Sequence, residues 1–223
     1  ALRGIVGHLH RRANVVKRQT EKESTVPERQ PTTVVALYVD LARGPYAAMP
    51  GVDAWGIERD ATLYEGPRPV VAHPPCGPWG KLRFLCTKQD ATCAPIAVGQ
   101  VRALGGVLEH PEGSVLWAHQ SMPLPAGPEG VVPMLAGREW TLCVDQCRWG
   151  HPCQKRTWLF FVGVNPRDLP PLPPRQKPTH CIDDGHAGDA ASKGLRHLPK
   201  KQRHVTPPAF AEWLVACARL ATP

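Results

Sequence analysis

Six short runs of apolar residues recur along the chain, each followed by polar or turn-forming residues. The first, Thr33–Val39, is rich in β-branched side chains and ends at Asp40. Apolar runs of this length without alternation are typical of strands that are buried on both faces of a parallel sheet. We therefore predict six strands, at Thr33–Val39, Ala54–Ile57, Pro69–His73, Gly106–Glu109, Thr141–Val144 and Thr157–Val164.

Helical patterns accompany these strands. One predicted helix includes Gln100 and ends before Gly106, and another spans Pro207–Ala221, with proline in its first turn and apolar residues at helical spacing. Strands that alternate with such segments predict an α/β fold, with a mostly parallel sheet and helices on both of its faces.

Composition divides the chain into four segments. Residues 1–30 are basic and poor in large apolar side chains, which predicts a flexible N-terminal segment. Residues 31–164 form the α/β domain, 165–203 form a short loop-rich insertion, and 204–223 form a C-terminal helix that returns to the domain. The 26 prolines and 20 glycines among 223 residues predict many loops.

Charge and cysteine content indicate the class of partner and the compartment. The chain has 27 basic and 19 acidic residues, a formal net charge of +8, which favours a polyanionic partner such as nucleic acid. No apolar run reaches the roughly 18 residues of a membrane span, so no membrane contact is predicted. The eight cysteines lack the context of a small secreted domain, which predicts reduced thiols and a cytoplasmic location.

Reactive side chains follow four consecutive predicted strands. Asp40 follows the first strand, Glu58 the second, Pro74-Pro75-Cys76 the third, and Glu109 ends the fourth. Since the carboxyl ends of parallel strands share one edge, these residues are expected to meet there. A thiol in a stiff Pro-Pro turn can serve as a nucleophile, and a carboxylate at a strand end can act as an acid. Taken singly, each could also be a structural cysteine or a solvated glutamate.

The motifs occur in an order that resembles the DNA cytosine-C5 methyltransferases. That family has a Pro-Pro-Cys loop, a Glu-Asn-Val strand end, a Tyr-Gly-x-Pro-Gln-x-Arg-x-Arg segment and a Gly-Asn-Ala-Val-Pro-Pro segment before the last helix. The counterparts here are Pro74-Pro75-Cys76, Glu109-His110-Pro111, Trp149-Gly150-His151-Pro152-Cys153-Gln154-Lys155-Arg156-Thr157-Trp158 and Arg203-His204-Val205-Thr206-Pro207-Pro208. The resemblance covers roughly Val34 to Ala221 and indicates a small, divergent, phage-type member of the family, acting in the host cytoplasm.

The resemblance implies a fold, a reaction and a set of site residues. It implies a Rossmann-like methyltransferase sheet, DNA as the partner, and methyl transfer from S-adenosylmethionine to C5 of cytosine through a bond between Cys76 and C6. Glu109 would protonate or hydrogen-bond N3, while Gln154 and Arg156 would hold the base or its sugar-phosphate. The cofactor would contact Asp40, Gly44, Glu58, Asp60 and Pro74. The DNA would contact the basic residues Arg83, Lys177, Lys193, Arg196, Lys200, Lys201 and Arg203.

The chain departs from the family pattern in ways that change the expectation. The turn at Arg43-Gly44-Pro45 has one glycine where the family has Phe-x-Gly-x-Gly-Gly, which predicts weak or altered binding of the donor. His110 replaces the family asparagine, and Trp158 replaces the second arginine. About sixteen residues separate Glu58 from the Pro-Pro-Cys loop, so one family strand is expected to be missing. The short 165–203 region predicts a reduced recognition region and electrostatic DNA binding of low sequence specificity.

Three alternatives remain open at this stage. The protein could modify C5 of a free pyrimidine nucleotide, or use a different donor. It could also be a degenerate methyltransferase fold that binds nucleic acid or another protein. A zinc site is a further alternative, but its spacing matches no standard cysteine pair, so no metal is predicted. Its ligands would come from Cys143, Cys147, Cys153, His151 and Cys181.

Overall fold

A computed structural model describes residues 34–87, 90–127, 130, 132–133, 137–181 and 194–222. The predicted N-terminal segment 1–30 and Lys193 lie outside these residues. Within them, seven strands form one sheet and two more form a small parallel pair. The sheet contains β1 Val34–Leu37, β2 Val52–Trp55, β3 Val70–Ala72, β4 Gly106–Pro111, β5 Val132–Pro133, β6 Glu139–Asp145 and β7 Arg156–Val162. The pair is β8 His180–Cys181 with β9 Arg196–His197.

The described part also contains short helices, none of which has the length and hydrophobicity that a membrane crossing requires. Short 3-10 turns connect several strands, among them Ile57–Arg59 and Ala61–Leu63 between β2 and β3. The α-helices are α1 Cys93–Leu104, α2 Leu116–His119, α3 Lys200–Arg203 and α4 Pro208–Ala218.

The large sheet has the strand order β2-β1-β3-β4-β7-β6-β5. Its first four strands are parallel to one another, whereas β7 runs antiparallel to β4 and to β6, and β5 runs antiparallel to β6. Five of the seven strands therefore point in the same direction. The sheet and its helices confirm the α/β class at this level of detail.

Helices cover both faces of the sheet because alternate strand residues point to opposite sides. Val34 and Ala36 pack in the core cluster that contains the buried residues of α4. Their neighbours Val35 and Leu37 belong to the opposite cluster, which contains α1. Both helices bury residues at helical spacing, as an amphipathic helix on a sheet requires.

Gly106 brings β3 and β4 into register. Its φ of +117° lies in the region that favours glycine, and a Cβ at this position would lie 2.0 Å from the carbonyl oxygen of Val70. No side chain fits there, so glycine is required where β4 begins. The resulting register pairs Ala72 with Leu108, which makes His73 and Glu109 the next residues on adjacent strands.

The predicted strands are all present, but the second is displaced and several elements were missed. Ala54–Ile57 was predicted, whereas β2 is Val52–Trp55 and Ile57 begins a 3-10 turn with 92% of its surface exposed. β2 lies at the edge of the sheet with every residue half-buried, so its apolar pattern is weak.

Residues 56–69 contain 3-10 turns and no strand, consistent with the predicted loss of one strand. The missed elements are β5, β8, β9, α2 and α3.

Candidate active site at the carboxyl edge of the sheet

The carboxyl ends of β2, β1, β3 and β4 lie along one edge of the sheet, as parallel pairing requires. The Pro-Pro-Cys loop follows β3, and Glu109 lies in the adjacent β4. The two sequence motifs are therefore at the same edge, as expected. The charge of Glu109 also raises the pKa of the Cys76 thiol.

The loop that carries Cys76 is held by its own backbone. Pro74 is buried, and the carbonyl of Cys76 accepts hydrogen bonds from the N–H groups of Trp79 and Gly80 at 3.1 and 2.8 Å. Trp79 is buried, and its carbonyl accepts a bond from the N–H of Val115. The Cys76 thiol remains partly exposed. Burial, and then the charge of Glu109, raise its pKa, so the resting form is the protonated thiol.

Glu109 receives hydrogen bonds at both carboxylate oxygens. His73 Nδ1 lies 3.1 Å from Oε2, and the Gln146 side-chain amide donates to Oε1 at 3.0 Å. The same Gln146 nitrogen donates to Thr157 Oγ1 at 2.8 Å. Tyr46 Oη lies 2.6 Å from the other ring nitrogen of His73. This chain of contacts fixes the Glu109 carboxylate, of which 13% of the side chain stays exposed to solvent.

Electrostatics keep Glu109 ionised. Burial by itself would raise its pKa, but the hydrogen bond from His73 and the electrostatic effects of His73, Lys155 and His110 outweigh it and hold the pKa at about 2. Glu109 is therefore a carboxylate at neutral pH and accepts hydrogen bonds there. It can act as an acid only if a bound substrate raises its pKa.

His110 has a structural part in the same site. Its ring is fully buried, its Nδ1 lies 2.8 Å from Ser114 Oγ, and it packs against Trp117. Burial lowers its pKa to about 4, although the charge of Glu109 and the carbonyl of Pro75 favour the charged form. His110 is therefore neutral. It belongs to β4, and its ring faces the backbone of Pro75 in the Cys76 loop.

Gln154 and Arg156, predicted to hold the base, do not contact Glu109 in this structure. Both side chains are exposed: Gln154 donates to Asp145 Oδ2 at 3.1 Å, and Arg156 pairs with Glu112 at 3.5 Å. The amide against Glu109 belongs to Gln146, in the turn after β6.

Sequence reasoning missed four side chains of this site: Tyr46, His73, Gln146 and Lys155. His73 could have been found, because it immediately precedes the Pro-Pro turn at a strand end. The other three carry no motif that singles them out in the sequence.

The end of β2 offers a carboxylate and an apolar surface. Ile57 is 92% exposed and Glu58 is exposed beside it. A Cβ on Gly56 would lie 2.6 Å from both Glu58 Oε2 and the carbonyl oxygen of Val39, so glycine allows the turn to approach β1. Asp60, by contrast, is used locally, because its carboxylate accepts bonds from the backbone and hydroxyl of Thr62.

The turn after β1 has little capacity left for an anion. Asp40 Oδ1 accepts hydrogen bonds from the N–H groups of Ala42 and Arg43 at 3.0 and 3.1 Å. The N–H of Gly44 donates to the Asp40 carbonyl at 2.8 Å, and a Cβ on Gly44 would lie 2.5 Å from that oxygen. Three consecutive N–H groups are thus already bonded within the turn, and Gly44 is explained by the close approach of the backbone.

Basic residues lie next to the site. Burial lowers the pKa of His204, and the charges of Lys155 and Arg203 add to that effect. Lys155 also lowers the pKa of Glu109 and of Cys76. The predicted DNA-contacting residues Lys177, Arg196, Lys200, Lys201 and Arg83 are exposed.

Comparison with protein-family models and with curated proteins gave no match. No family model matches the chain, and no curated protein is significantly similar to it. The arrangement of residues at the sheet edge therefore carries the functional argument.

The described residues do not group three or more His, Cys, Asp or Glu side chains into a potential metal site. Cys143, Cys147 and Cys153 are buried, and burial raises the pKa of each thiol, to about 11 for Cys143 and Cys153. His151 Nδ1 is engaged by the backbone of Cys153 at 3.0–3.1 Å. These contacts give no support to the zinc alternative.

Proposed function

We propose that this protein modifies C5 of cytosine in DNA through a covalent bond between Cys76 Sγ and C6, with S-adenosylmethionine as the methyl donor. The observation that carries the proposal is the presence of a partly exposed thiol on a rigid loop and a partly buried, ionised carboxylate at the same sheet edge. The ordered motifs of the sequence support it.

The chemistry requires a nucleophile that can add and leave again. The Cys76 thiolate forms a bond to C6, and the electrons of the C5–C6 double bond move toward N3, O2 and C5. C5 then takes an electrophile and loses its proton, and the thiolate leaves C6 as the double bond forms again. A target base inside a duplex has to be turned out of the stack to reach Cys76.

Glu109 supplies recognition and charge stabilisation in this scheme. As a carboxylate it accepts a hydrogen bond from the amino group at C4 of cytosine, which uracil and thymine lack. The negative charge that develops on the ring raises the proton affinity of N3 and of the neighbouring carboxylate, so the proton that the Cys76 thiol loses on ionisation can pass to Glu109 and be shared with N3.

The residues at the end of β2 fit one part of the donor. Glu58 can accept hydrogen bonds from a ribose diol, and the exposed face of Ile57 suits an adenine ring. The turn after β1 fits less well, because Asp40 already occupies the N–H groups that would bind the amino-acid carboxylate. The donor would supply an electrophilic methyl group at C5, held mainly through its nucleoside.

We expect S-adenosylmethionine to bind the wild-type protein with a dissociation constant weaker than about 1 µM. Asp40→Ala should tighten binding severalfold, because it frees the N–H groups of Ala42 and Arg43. Isothermal titration calorimetry measures both, with Asp168→Ala, at the far end of β7, as the control. Sub-micromolar binding by the wild type would contradict this interpretation, and weaker binding by Asp40→Ala would make Asp40 a donor ligand instead.

The basic surface beside the site favours DNA over a free nucleotide. Residues 194–211 contain no acidic side chain, and α3 presents Lys200 and Lys201 to solvent. Arg203 is anchored by a bond from Nε to the carbonyl of Leu198. Such a surface binds phosphates without reading base sequence.

DNA affinity should fall steeply with salt and differ little between duplex sequences. Replacing Lys200 and Lys201 by Gln should reduce the slope of log K against log salt by about 0.9 for each lost phosphate contact. Fluorescence anisotropy at several salt concentrations measures this. The control is Arg167→Gln, in the 3-10 turn Pro166–Asp168 that follows β7. A salt-insensitive affinity, or discrimination beyond about a thousandfold, would contradict the prediction.

One observation favours a variant of this function. The bonded turn after β1 is compatible with a donor other than S-adenosylmethionine, or with C5 chemistry that uses none. A purely binding protein has no use for a carboxylate held by His73 and Gln146 at the same sheet edge as a thiol.

Mass spectrometry tests the proposed function directly. The full chain is incubated with a cytosine-containing duplex and, separately, with dCMP, each with and without S-adenosylmethionine. A methyl group on duplex cytosine is the expected result. Unmodified DNA together with methylated dCMP would move the substrate to free nucleotides, and no modification under any condition would contradict methyl transfer.

A further inference from the structure

Tyr46, His73 and Glu109 form a linear chain of contacts at the end of β3. Tyr46 is buried at 2% exposure, and its hydroxyl lies 2.6 Å from His73 Nε2. On the other side of the ring, Nδ1 lies 3.1 Å from Glu109 Oε2. The ring of Tyr46 also packs against that of His73, with centroids 5.3 Å apart. His73 therefore has both ring nitrogens engaged.

The neighbours of His73 determine where its proton lies. Burial raises the pKa of Tyr46 well above its ordinary value, so its hydroxyl keeps its proton and can donate it. When the hydroxyl donates to Nε2, the ring proton lies on Nδ1 and points at the Glu109 carboxylate. The Gln146 amide holds the second oxygen, so the carboxylate cannot turn away.

We propose that His73, fixed by Tyr46, is a positioning residue that stabilises and orients the Glu109 carboxylate and so selects pyrimidines with an amino group at C4. An ionised Glu109 accepts from a 4-amino group and repels a 4-carbonyl oxygen, whereas a protonated Glu109 could donate to that oxygen. The selectivity half of this inference rests on the proposed function, while the half that concerns Glu109 ionisation does not.

Several charged groups face Glu109 and would share in its titration. His73 comes from the end of β3, and Lys155 precedes β7. His110, next to Glu109 on β4, is neutral above about pH 4. The Cys76 thiol faces Glu109 from its loop, and the Tyr46 hydroxyl faces it through His73. Since Lys155 remains charged in every His73 variant, the change between variants isolates the contribution of His73.

The first arm of the test needs no substrate. Carboxyl carbon NMR of the labelled full chain, assigned with Glu109→Gln, follows the titration of Glu109. In His73→Ala the proton affinity of Glu109 should rise at least about tenfold, with a smaller rise in His73→Asn, which retains an amide donor. Tyr46→Phe keeps the fold and the imidazole but removes the hydroxyl that bonds to His73 Nε2. The fraction of His73 that carries its proton on Nδ1, measured by long-range proton–nitrogen correlation NMR, should therefore fall. His119→Asn, an exposed histidine outside the site, is the control. An unchanged Glu109 titration in folded His73→Asn and Tyr46→Phe would overturn the proposal.

The second arm measures selectivity. Release of tritium from C5 of cytosine and of uracil, in otherwise identical DNA, gives the ratio of the two rates. The ratio should fall about tenfold or more in His73→Ala, in which no side chain replaces the bond to Glu109 Oε2, and less in His73→Asn, relative to wild type and His119→Asn. An unchanged ratio, with an altered Glu109 titration, would overturn the selectivity claim. Inactivity of the wild type toward both bases would overturn the proposed function and the selectivity with it, and the NMR titration would still decide the role of His73.

Discussion

Glu109→Gln is expected to lower the rate of cytosine modification by about 10²–10⁴-fold and, at the same time, to make Cys76 react faster with an alkylating reagent. The loss of rate follows because a neutral amide can neither take up a proton nor pass it to N3 as negative charge develops there. The gain in alkylation follows because the charge of Glu109 raises the pKa of Cys76. Removing that charge lowers the pKa, so a larger fraction of the thiol is ionised at neutral pH.

The two opposite changes separate an effect on the site from unfolding. Alkylation by iodoacetamide, read by mass spectrometry at Cys76, is measured beside the modification rate in the same preparation. Glu112→Gln is the matched control, because Glu112 lies just past β4 but pairs with Lys81 and Arg156 rather than facing Cys76. Slower alkylation in Glu109→Gln, or an unchanged rate of modification, would contradict the assigned roles.

Cys76→Ser is expected to reduce exchange of the cytosine C5 proton to the background rate. A serine hydroxyl is not ionised near neutral pH and is a far weaker nucleophile without an activating base. Exchange needs addition of Sγ to C6, protonation of C5 by solvent, loss of the original C5 hydrogen and elimination of Sγ, so it reports on Cys76 whatever the donor is. Tritium release from DNA that carries tritium at C5 measures it.

The pH dependence of exchange follows from the same thiol. Burial and the charge of Glu109 raise the pKa of Cys76, so the thiolate fraction and the exchange rate should increase as the pH rises above neutrality. Cys93→Ser, which removes another partly exposed thiol, should leave rate and profile unchanged. Exchange that persists in Cys76→Ser, or a wild-type rate that falls over this range, would contradict the assignment.

The reactive residues at the carboxyl edge of the sheet could be predicted from the sequence, because polar residues directly follow the apolar runs that form the strands. Short apolar runs mark β1, β3, β4 and β7, and the reactive residues Cys76 and Glu109 were found from their places after the third predicted strand and at the end of the fourth. Parallel pairing then brings them to one edge without further information. The edge strand β2 was displaced by two residues because it is half-buried throughout.

The contacts around Glu109 could not be predicted, because they depend on strand register. Gln154 matches the motif, yet the antiparallel register that pairs Asp145 with Arg156 brings Gln146 next to Thr157 and Glu109. Register changes the face on which every side chain lies, and the sequence does not state it. Tyr46 reaches His73 from 27 residues away, a contact that no local pattern encodes.

The turn after β1 could be predicted only in part from its composition. One glycine in place of three predicted a loss of available N–H groups. The structure adds the cause, since the Asp40 carboxylate binds two of those groups itself. A side-chain cap of this kind is consistent with an Asp two and three residues before the donors, but its formation depends on the path of the turn.

Covalent trapping tests the central claim most directly. The full chain is incubated with S-adenosylmethionine and a duplex that carries 5-fluorocytosine, whose C5 fluorine cannot leave as a proton does. The protein is then digested and its cross-linked peptide is sequenced by mass spectrometry. A nucleotide attached to Cys76 Sγ, and absent in Cys76→Ser, is the predicted result. An adduct that survives Cys76→Ser, or no adduct in a preparation whose Cys76 still reacts with iodoacetamide, would contradict the account.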